Sequence, residues 1–183
     1  MYRIRIHGRG GQGGKTAAHL MGEAAFLEGK HSQAFALYGA ERRGAPVVSF
    51  IRIDDKPIYE RGYIDDPDVF LILDDSLLKM GKEIGLTVGL NDGDYFIVNT
   101  CKKVVEPKGV KVVTVDATTI ALEELRSNTT NTPMLGALIK ETGAVKLSSL
   151  YKAMDTIFGR HHRDTLEANK RAVKRCYDAV DKI

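Results

Sequence analysis

Five glycines fall within seven residues near the N-terminus, over positions 8–14, and they constrain the fold more than any other feature. An alternating run, Tyr2 to Ile6, precedes them, and apolar residues at helical spacing follow over 17–25. Strand, glycine loop and helix in this order predict the first turn of a βαβ unit. Glycine permits a backbone with positive φ, and the free N–H groups that begin the helix favour an anion such as a phosphate. The alternative is a purely structural tight turn.

The rest of the pattern predicts an α/β fold, a Rossmann-like doubly wound sheet with a helical C-terminal part, in one domain over residues 1–183. Apolar residues in the run 68–75 predict a strand buried on both faces that ends in carboxylates, where open α/β sheets place ligands. Ile58 and Tyr59 are expected to pair with the strand 47–53 in a hairpin. The other predicted strands are 2–7, 31–36, 95–98 and 111–115, and the predicted helices are 15–28, 117–127, 132–142, 147–158 and 164–182.

Composition excludes several classes of protein. The net charge of +3 is small and its basic residues are dispersed, so no nucleic-acid partner is expected. Cys101 and Cys176 are the only cysteines, too few for a disulfide scaffold or for an iron–sulfur or zinc site within this chain. No apolar leader and no run of membrane-spanning length occur, so we expect a cytoplasmic protein without membrane attachment.

Two nucleotide-binding motifs compete for the glycine loop. Lys15 and Thr16 resemble the end of a P-loop, but the first glycine of that motif would fall at position 9, which is Arg9. A dinucleotide site would need an acidic residue at the end of the second strand, and the segment 32–37 offers none. An ATP-binding P-loop-like protein and a non-catalytic nucleotide-binding regulatory module remain as alternatives.

A second polar loop, framed by Gly39 and Gly44, carries Glu41, Arg42 and Arg43. Adjacent arginines can present a bidentate fork to a phosphate or a carboxylate, although solvated charges or an ion pair with a neighbouring chain explain them equally well. The sequence gives no pattern for a metal site or for a nucleophilic catalytic group, so none is predicted.

Three segments together carry a resemblance to a known family. Residues 8–13 after a short strand look like the glycine–glutamine loop of the gamma subunit of 2-oxoacid:ferredoxin oxidoreductases. Residues 38–46 with the strand 47–53 resemble that family's second signature, and residues 131–137 resemble its third. The three occur in the family's order, and the wording of the middle segment most resembles the pyruvate branch, pyruvate synthase.

The resemblance implies a subunit, inactive alone, of an enzyme of anaerobic metabolism that converts pyruvate or another 2-oxoacid to acyl-coenzyme A and passes electrons to ferredoxin. It implies alpha, beta and ferredoxin-like delta partner subunits, which carry thiamine diphosphate, magnesium and the iron–sulfur clusters. Coenzyme A is expected near this chain, and no residue of it is assigned a catalytic role. The expected binding residues are Gly8, Arg9, Gly10, Gly11, Gln12, Gly13, Arg42 and Arg43.

Overall fold

The structure is a computed structural model that describes residues 1–37, 44–159 and 163–180. The described residues form a six-stranded sheet and five α-helices. The strands are β1 (Tyr2–Arg9), β2 (His31–Leu37), β3 (Pro46–Asp54), β4 (Val69–Ile72), β5 (Tyr95–Asn99) and β6 (Lys111–Val115). The helices are α1 (Gly14–Leu27), α2 (Ala117–Leu125), α3 (Asn131–Thr142), α4 (Leu147–Phe158) and α5 (Arg163–Asp178), with a 3-10 helix over Asp75–Met80.

The strands lie in the order β2-β3-β1-β4-β5-β6. Strand β1 is parallel to β4, and β4, β5 and β6 follow in parallel, whereas β3 runs antiparallel to both of its neighbours, β1 and β2. Every strand except β3 therefore ends at the same edge of the sheet, where β3 begins. The loop after β1 lies at this edge, which is the usual ligand edge of an α/β sheet.

The predicted hairpin between β3 and Ile58–Tyr59 is wrong. Strand β3 pairs with β1 and β2, and residues 58–68 form no strand. They are held by buried Arg52, which donates to Gly62 O at 3.1 Å and to Glu60 Oε2 at 3.2 Å. A buried guanidinium needs acceptors for all its donors, and this segment supplies them with carbonyl and carboxylate oxygens.

The two faces of the sheet are covered differently. All five α-helices contribute to one apolar core with the face that carries Ile4, Ile51 and Leu71. The opposite face of β4 and β5 packs Phe70 and Phe96 against the 3-10 helix and the turns that follow it. All four residues of β4 are buried, which confirms the strand with two covered faces. The six-stranded sheet and the order of the helices along the chain confirm the α/β fold with a helical C-terminal part.

Helix α3 is the central helix of the C-terminal part, because its residues from Asn131 to Ile139 are all buried. At Gly136 the backbone of α5 comes so close that a Cβ would overlap Val173 O. Glycine thus allows the two helices to pack backbone to backbone. None of the helices in the described ranges is both long and apolar enough to cross a membrane.

Candidate functional site

The glycine loop joins the end of β1 to the start of α1 at the carboxyl edge of the sheet. It is tied to the segment that leads into β3 by paired backbone hydrogen bonds. Gly10 N donates to Ala45 O at 2.8 Å, and Gly44 N donates to Gly10 O at 3.1 Å. The loop therefore extends the β1–β3 ladder by one further step beyond the strands themselves.

The side chain of Gln12 makes hydrogen bonds both to the backbone of the loop and to Asp74 beside it. Its Oε1 accepts from Arg9 N at 2.7 Å, while Gln12 N donates to Arg9 O at 2.9 Å. Its Nε2 donates to Asp74 Oδ2 at 2.9 Å, directly beyond β4. Both polar ends of this amide are thus engaged inside the protein, so Gln12 shapes the loop.

The side chain of Arg9 also makes its hydrogen bonds to other residues of the protein. Its Nη1 donates to Gly44 O at 2.9 Å, its Nη2 to Ser76 Oγ at 2.7 Å, and its Nε to Asp74 Oδ2 at 3.2 Å. The guanidinium therefore links the ends of β1 and β4 to the start of β3. Each of its nitrogens already has an acceptor, which leaves Arg9 less suited to hold a ligand phosphate than the sequence indicates.

Asp74, just after β4, accepts hydrogen bonds from both Gln12 and Arg9. Partial burial alone would raise the pKa of its carboxyl group, but the hydrogen bonds from Ser76 and Gln12 and the charge of Arg9 outweigh burial and lower it. The carboxylate is therefore ionised at neutral pH. Asp75, the next residue, faces other partners and accepts from Thr100 Oγ1 at 3.1 Å and from Lys102 Nζ at 3.0 Å.

Helix α1 begins without a side-chain cap. Its N-cap residue, Gly13, has φ +78° and no side chain that could cap the helix, no side chain within residues 1–37, 44–159 and 163–180 accepts from the first turn, and no acidic residue lies in that turn. The N–H groups of Gly14, Lys15 and Thr16 have no acceptor within the helix, because an α-helix leaves its first donors unpaired. Such free donors, together with the helix dipole, favour negative charge at this end of α1.

The third sequence segment contacts the first at this point. Asn131, 4% exposed at the start of α3, donates from Nδ2 to Gly13 O at 3.0 Å. A Cβ on Gly13 would overlap the same Nδ2. This contact joins residues that are 118 positions apart in sequence. Sequence reasoning placed Asn131 in a signature without assigning it a partner.

A polar cleft of about 350 Å³ opens beside the loop along the carboxyl ends of β4, β5 and β6. Gln12, Asp74 and Asp75 form its wall near the loop, and Asn99 lies in its floor, where Nδ2 donates to Leu73 O and to Thr118 Oγ1, both at 2.9 Å. The other lining residues include Thr100, Cys101, Asp116, Thr119 and Thr130. The cleft offers mostly hydroxyl, amide and carboxylate groups, so it suits the hydroxyl and amide parts of a ligand better than its phosphates.

Six of the expected binding residues lie at the end of β1 and in the loop that follows it: Gly8, Arg9, Gly10, Gly11, Gln12 and Gly13. Arg42 and Arg43 lie outside the described residues, as does Glu41. Their neighbour in sequence, Gly44, contacts both Gly10 and Arg9. Nothing in the sequence indicated that Ser76 bonds to Arg9 or that Asn131 bonds to Gly13. Asp74 was indicated only as one of the carboxylates that end the apolar run.

Comparisons with known proteins agree with this arrangement. Residues 3–179 match the model of the family described as pyruvate ferredoxin/flavodoxin oxidoreductase. The pyruvate/ketoisovalerate oxidoreductases common subunit gamma of Thermococcus litoralis is 48% identical over 96% of this chain and 97% of its own length. The crystal structure of the pyruvate oxidoreductase subunit PORC of Thermotoga maritima superposes with a TM-score of 0.86, at 38% identity, over 98% of this chain and 97% of that one.

A more distant likeness concerns the fold alone. The 2-oxoglutarate:ferredoxin oxidoreductase of Magnetococcus marinus, solved with 2-oxoglutarate, coenzyme A and succinyl-coenzyme A bound, shares 22% identity and a TM-score of 0.81. All of this chain aligns with 32% of that longer chain. The close relatives confirm the resemblance and favour it over an ATP-binding P-loop protein. The chain belongs to the pyruvate ferredoxin/flavodoxin oxidoreductase family, as a gamma-type subunit of such an oxidoreductase.

Proposed function

We propose that the glycine loop and the first turn of α1 bind a phosphate group of coenzyme A within a pyruvate:ferredoxin oxidoreductase complex. One observation carries the proposal: no side chain in the described part of the chain caps α1, and the helix begins directly after a loop whose side chains are already engaged by the protein. Arg9 and Gln12 hold the loop, so the backbone N–H groups that begin the helix are what it offers to a ligand. Such donors suit a phosphate at the positive end of a helix dipole.

The polar cleft extends this site along the sheet edge. A phosphate at the α1 N-terminus would leave the hydroxyl and amide groups of coenzyme A facing the part of the cleft that Asn99 and Asp116 line. Carboxylate and amide oxygens there accept hydrogen bonds from such groups. The side chains of this chain thus bind and orient the acyl acceptor, and none is assigned a proton transfer.

The chemistry of the 2-oxoacid falls to the partner subunits in this proposal. Thiamine diphosphate, magnesium and the iron–sulfur clusters on alpha, beta and delta subunits would cleave the 2-oxoacid and deliver electrons to ferredoxin. The residues of this chain fit that division. Within the described ranges no three His, Cys, Asp or Glu side chains are grouped so that they could hold a metal ion, and Cys101 is exposed whereas Cys176 is buried.

The test introduces a negative charge at the proposed phosphate site. Lys15 is exposed in the first turn of α1, so Lys15→Glu should leave folding intact while it repels the phosphate. In the assembled complex we expect the KM for coenzyme A to rise several-fold and the KM for pyruvate to stay unchanged. Lys152→Glu, on the exposed side of α4, makes the same charge change away from the loop and serves as the matched control. An unchanged KM for coenzyme A in the Lys15→Glu complex would overturn the proposal.

A further inference from the structure

We infer that Asp74 is a positioning residue, whose carboxylate holds the glycine loop in the shape that presents the α1 N-terminus to its anion. The part of this inference that concerns coenzyme A rests on the proposed function. The part that concerns the loop stands on geometry alone. Asp74 lies beyond β4 and belongs to neither the loop nor the helix, so it would act on the ligand only through Gln12 and Arg9.

The two oxygens of the carboxylate have separate partners. Oδ1 accepts from Ser76 N at 2.9 Å and from Ser76 Oγ at 2.5 Å, and so caps the 3-10 helix. Oδ2 accepts from Gln12 Nε2 at 2.9 Å and from Arg9 Nε at 3.2 Å. One oxygen therefore anchors Asp74 to its own segment, while the other fixes two side chains of the loop.

The bonds at Oδ2 control the backbone of the loop. With its Nε2 held by Asp74, the amide of Gln12 can direct Oε1 only toward Arg9 N, which it meets at 2.7 Å. The same carboxylate oxygen accepts from Arg9 Nε, and Arg9 Nη1 donates to Gly44 O at 2.9 Å. Loss of the carboxylate would release the amide of Gln12 and remove one acceptor of Arg9, whose Nη1 and Nη2 keep Gly44 O and Ser76 Oγ. Because the Asp74 bond orients the amide that accepts from Arg9 N, the loop backbone would loosen with it.

Asp75 serves as a comparison, because it distinguishes a specific effect of the Asp74 hydrogen bonds from a general effect of any carboxylate at this sheet edge. It is a carboxylate at the same sheet edge, but it accepts from Thr100 and Lys102 and makes no hydrogen bond to the glycine loop. An effect on the loop that arises from Asp74 alone is therefore specific to its bonds with Gln12 and Arg9.

The test exchanges the donor and the acceptor of the hydrogen bond between Gln12 and Asp74. Asp74→Asn places an amide donor opposite the Gln12 donor. In the double variant Asp74→Asn with Gln12→Glu, a carboxylate at position 12 accepts from the amide at position 74, still accepts from Arg9 N and keeps the net charge unchanged. We would measure amide hydrogen exchange of residues 8–16 in the full chain, and KM and kcat of the assembled complex, for both variants and for Asp75→Asn.

We expect Asp74→Asn to speed exchange in the loop and to raise the KM for coenzyme A on the order of tenfold, the usual loss for a charge-assisted hydrogen bond, with kcat and the KM for pyruvate unchanged. The double variant should restore the slow exchange of the loop, and Asp75→Asn should leave loop exchange as it is. Unchanged exchange in Asp74→Asn, or no recovery in the double variant, would overturn the inference. Faster exchange with an unchanged KM for coenzyme A would instead overturn the proposed coenzyme A site and leave the role of Asp74 in the loop standing.

Discussion

Replacement of Gly13 by alanine tests the contact between the first and third sequence segments. Gly13 has φ +78°, and a Cβ there would overlap Asn131 Nδ2, which donates to Gly13 O at 3.0 Å in the native chain. Two costs therefore add. The left-handed conformation costs alanine about 1 kcal/mol, and loss of the hydrogen bond from buried Asn131 costs about 1 to 2 kcal/mol more. We expect Gly13→Ala to lower the free energy of unfolding by roughly 2 to 3 kcal/mol.

Gly11 offers a matched control for the backbone cost. It also has a positive φ, +95°, but a Cβ there would meet no atom within 4 Å. Gly11→Ala should therefore cost only the conformational part, about 1 kcal/mol. Asn131→Ala and the Gly13→Ala, Asn131→Ala pair complete a double-mutant cycle, in which the pair should cost less than the sum of its members because the overlap is gone.

Urea unfolding of the purified full chain, followed by circular dichroism, measures all four variants. We expect Gly13→Ala to unfold at clearly lower denaturant concentration than Gly11→Ala, and the cycle to show a coupling energy of about 1 kcal/mol. Equal destabilisation by Gly11→Ala and Gly13→Ala, or strict additivity in the cycle, would show that Asn131 does not constrain the loop.

Two further predictions concern the core. Gly136→Ala should destabilise the chain by about 1 to 3 kcal/mol, because its Cβ would overlap Val173 O in the backbone of α5; an unfolding midpoint like that of the native chain would contradict this close approach. Burial and the charge of Arg5 lower the pKa of His7 to about 3, so between that value and its ordinary value near 6.5 the unfolded chain binds a proton that the folded chain does not. Stability should therefore fall by about 2 kcal/mol from pH 6.5 to 4.5, and His7→Gln should remove that part of the decline in unfolding measured across this range.

Local signals in the sequence predicted much of the fold. The alternation before the glycines, the helical spacing after them and the continuous apolar run of β4 each describe an element whose burial is visible in its own residues. The partner of β3 was not predictable in this way. Ile58 and Tyr59 were expected as the partner because they follow β3 closely in sequence. Instead β2, which follows α1, pairs with β3, and Arg52 bonds to the segment that comes after β3.

The candidate site was predicted as a location better than as a set of contacts. Glycines and a following helix indicated the loop and predicted that it binds an anion, but nothing in the pattern showed that Arg9 and Gln12 bond to Asp74 and Gly44. Those partners lie 35 to 65 positions away, and pairing at such distances depends on strand order. The single domain over residues 1–183 and the binding roles of residues 8–13, Arg42 and Arg43 stay predictions.

Affinity purification of this chain, tagged, from its anaerobically grown source cells tests the central claim most directly. The eluate would be examined for co-purifying chains, for visible absorption and for dye reduction with pyruvate in the presence and absence of coenzyme A. A gamma-type subunit at work predicts larger partner chains, the brown absorption of iron–sulfur clusters and reduction that requires both pyruvate and coenzyme A. A colourless chain that elutes alone and supports no pyruvate-dependent reduction would contradict the account.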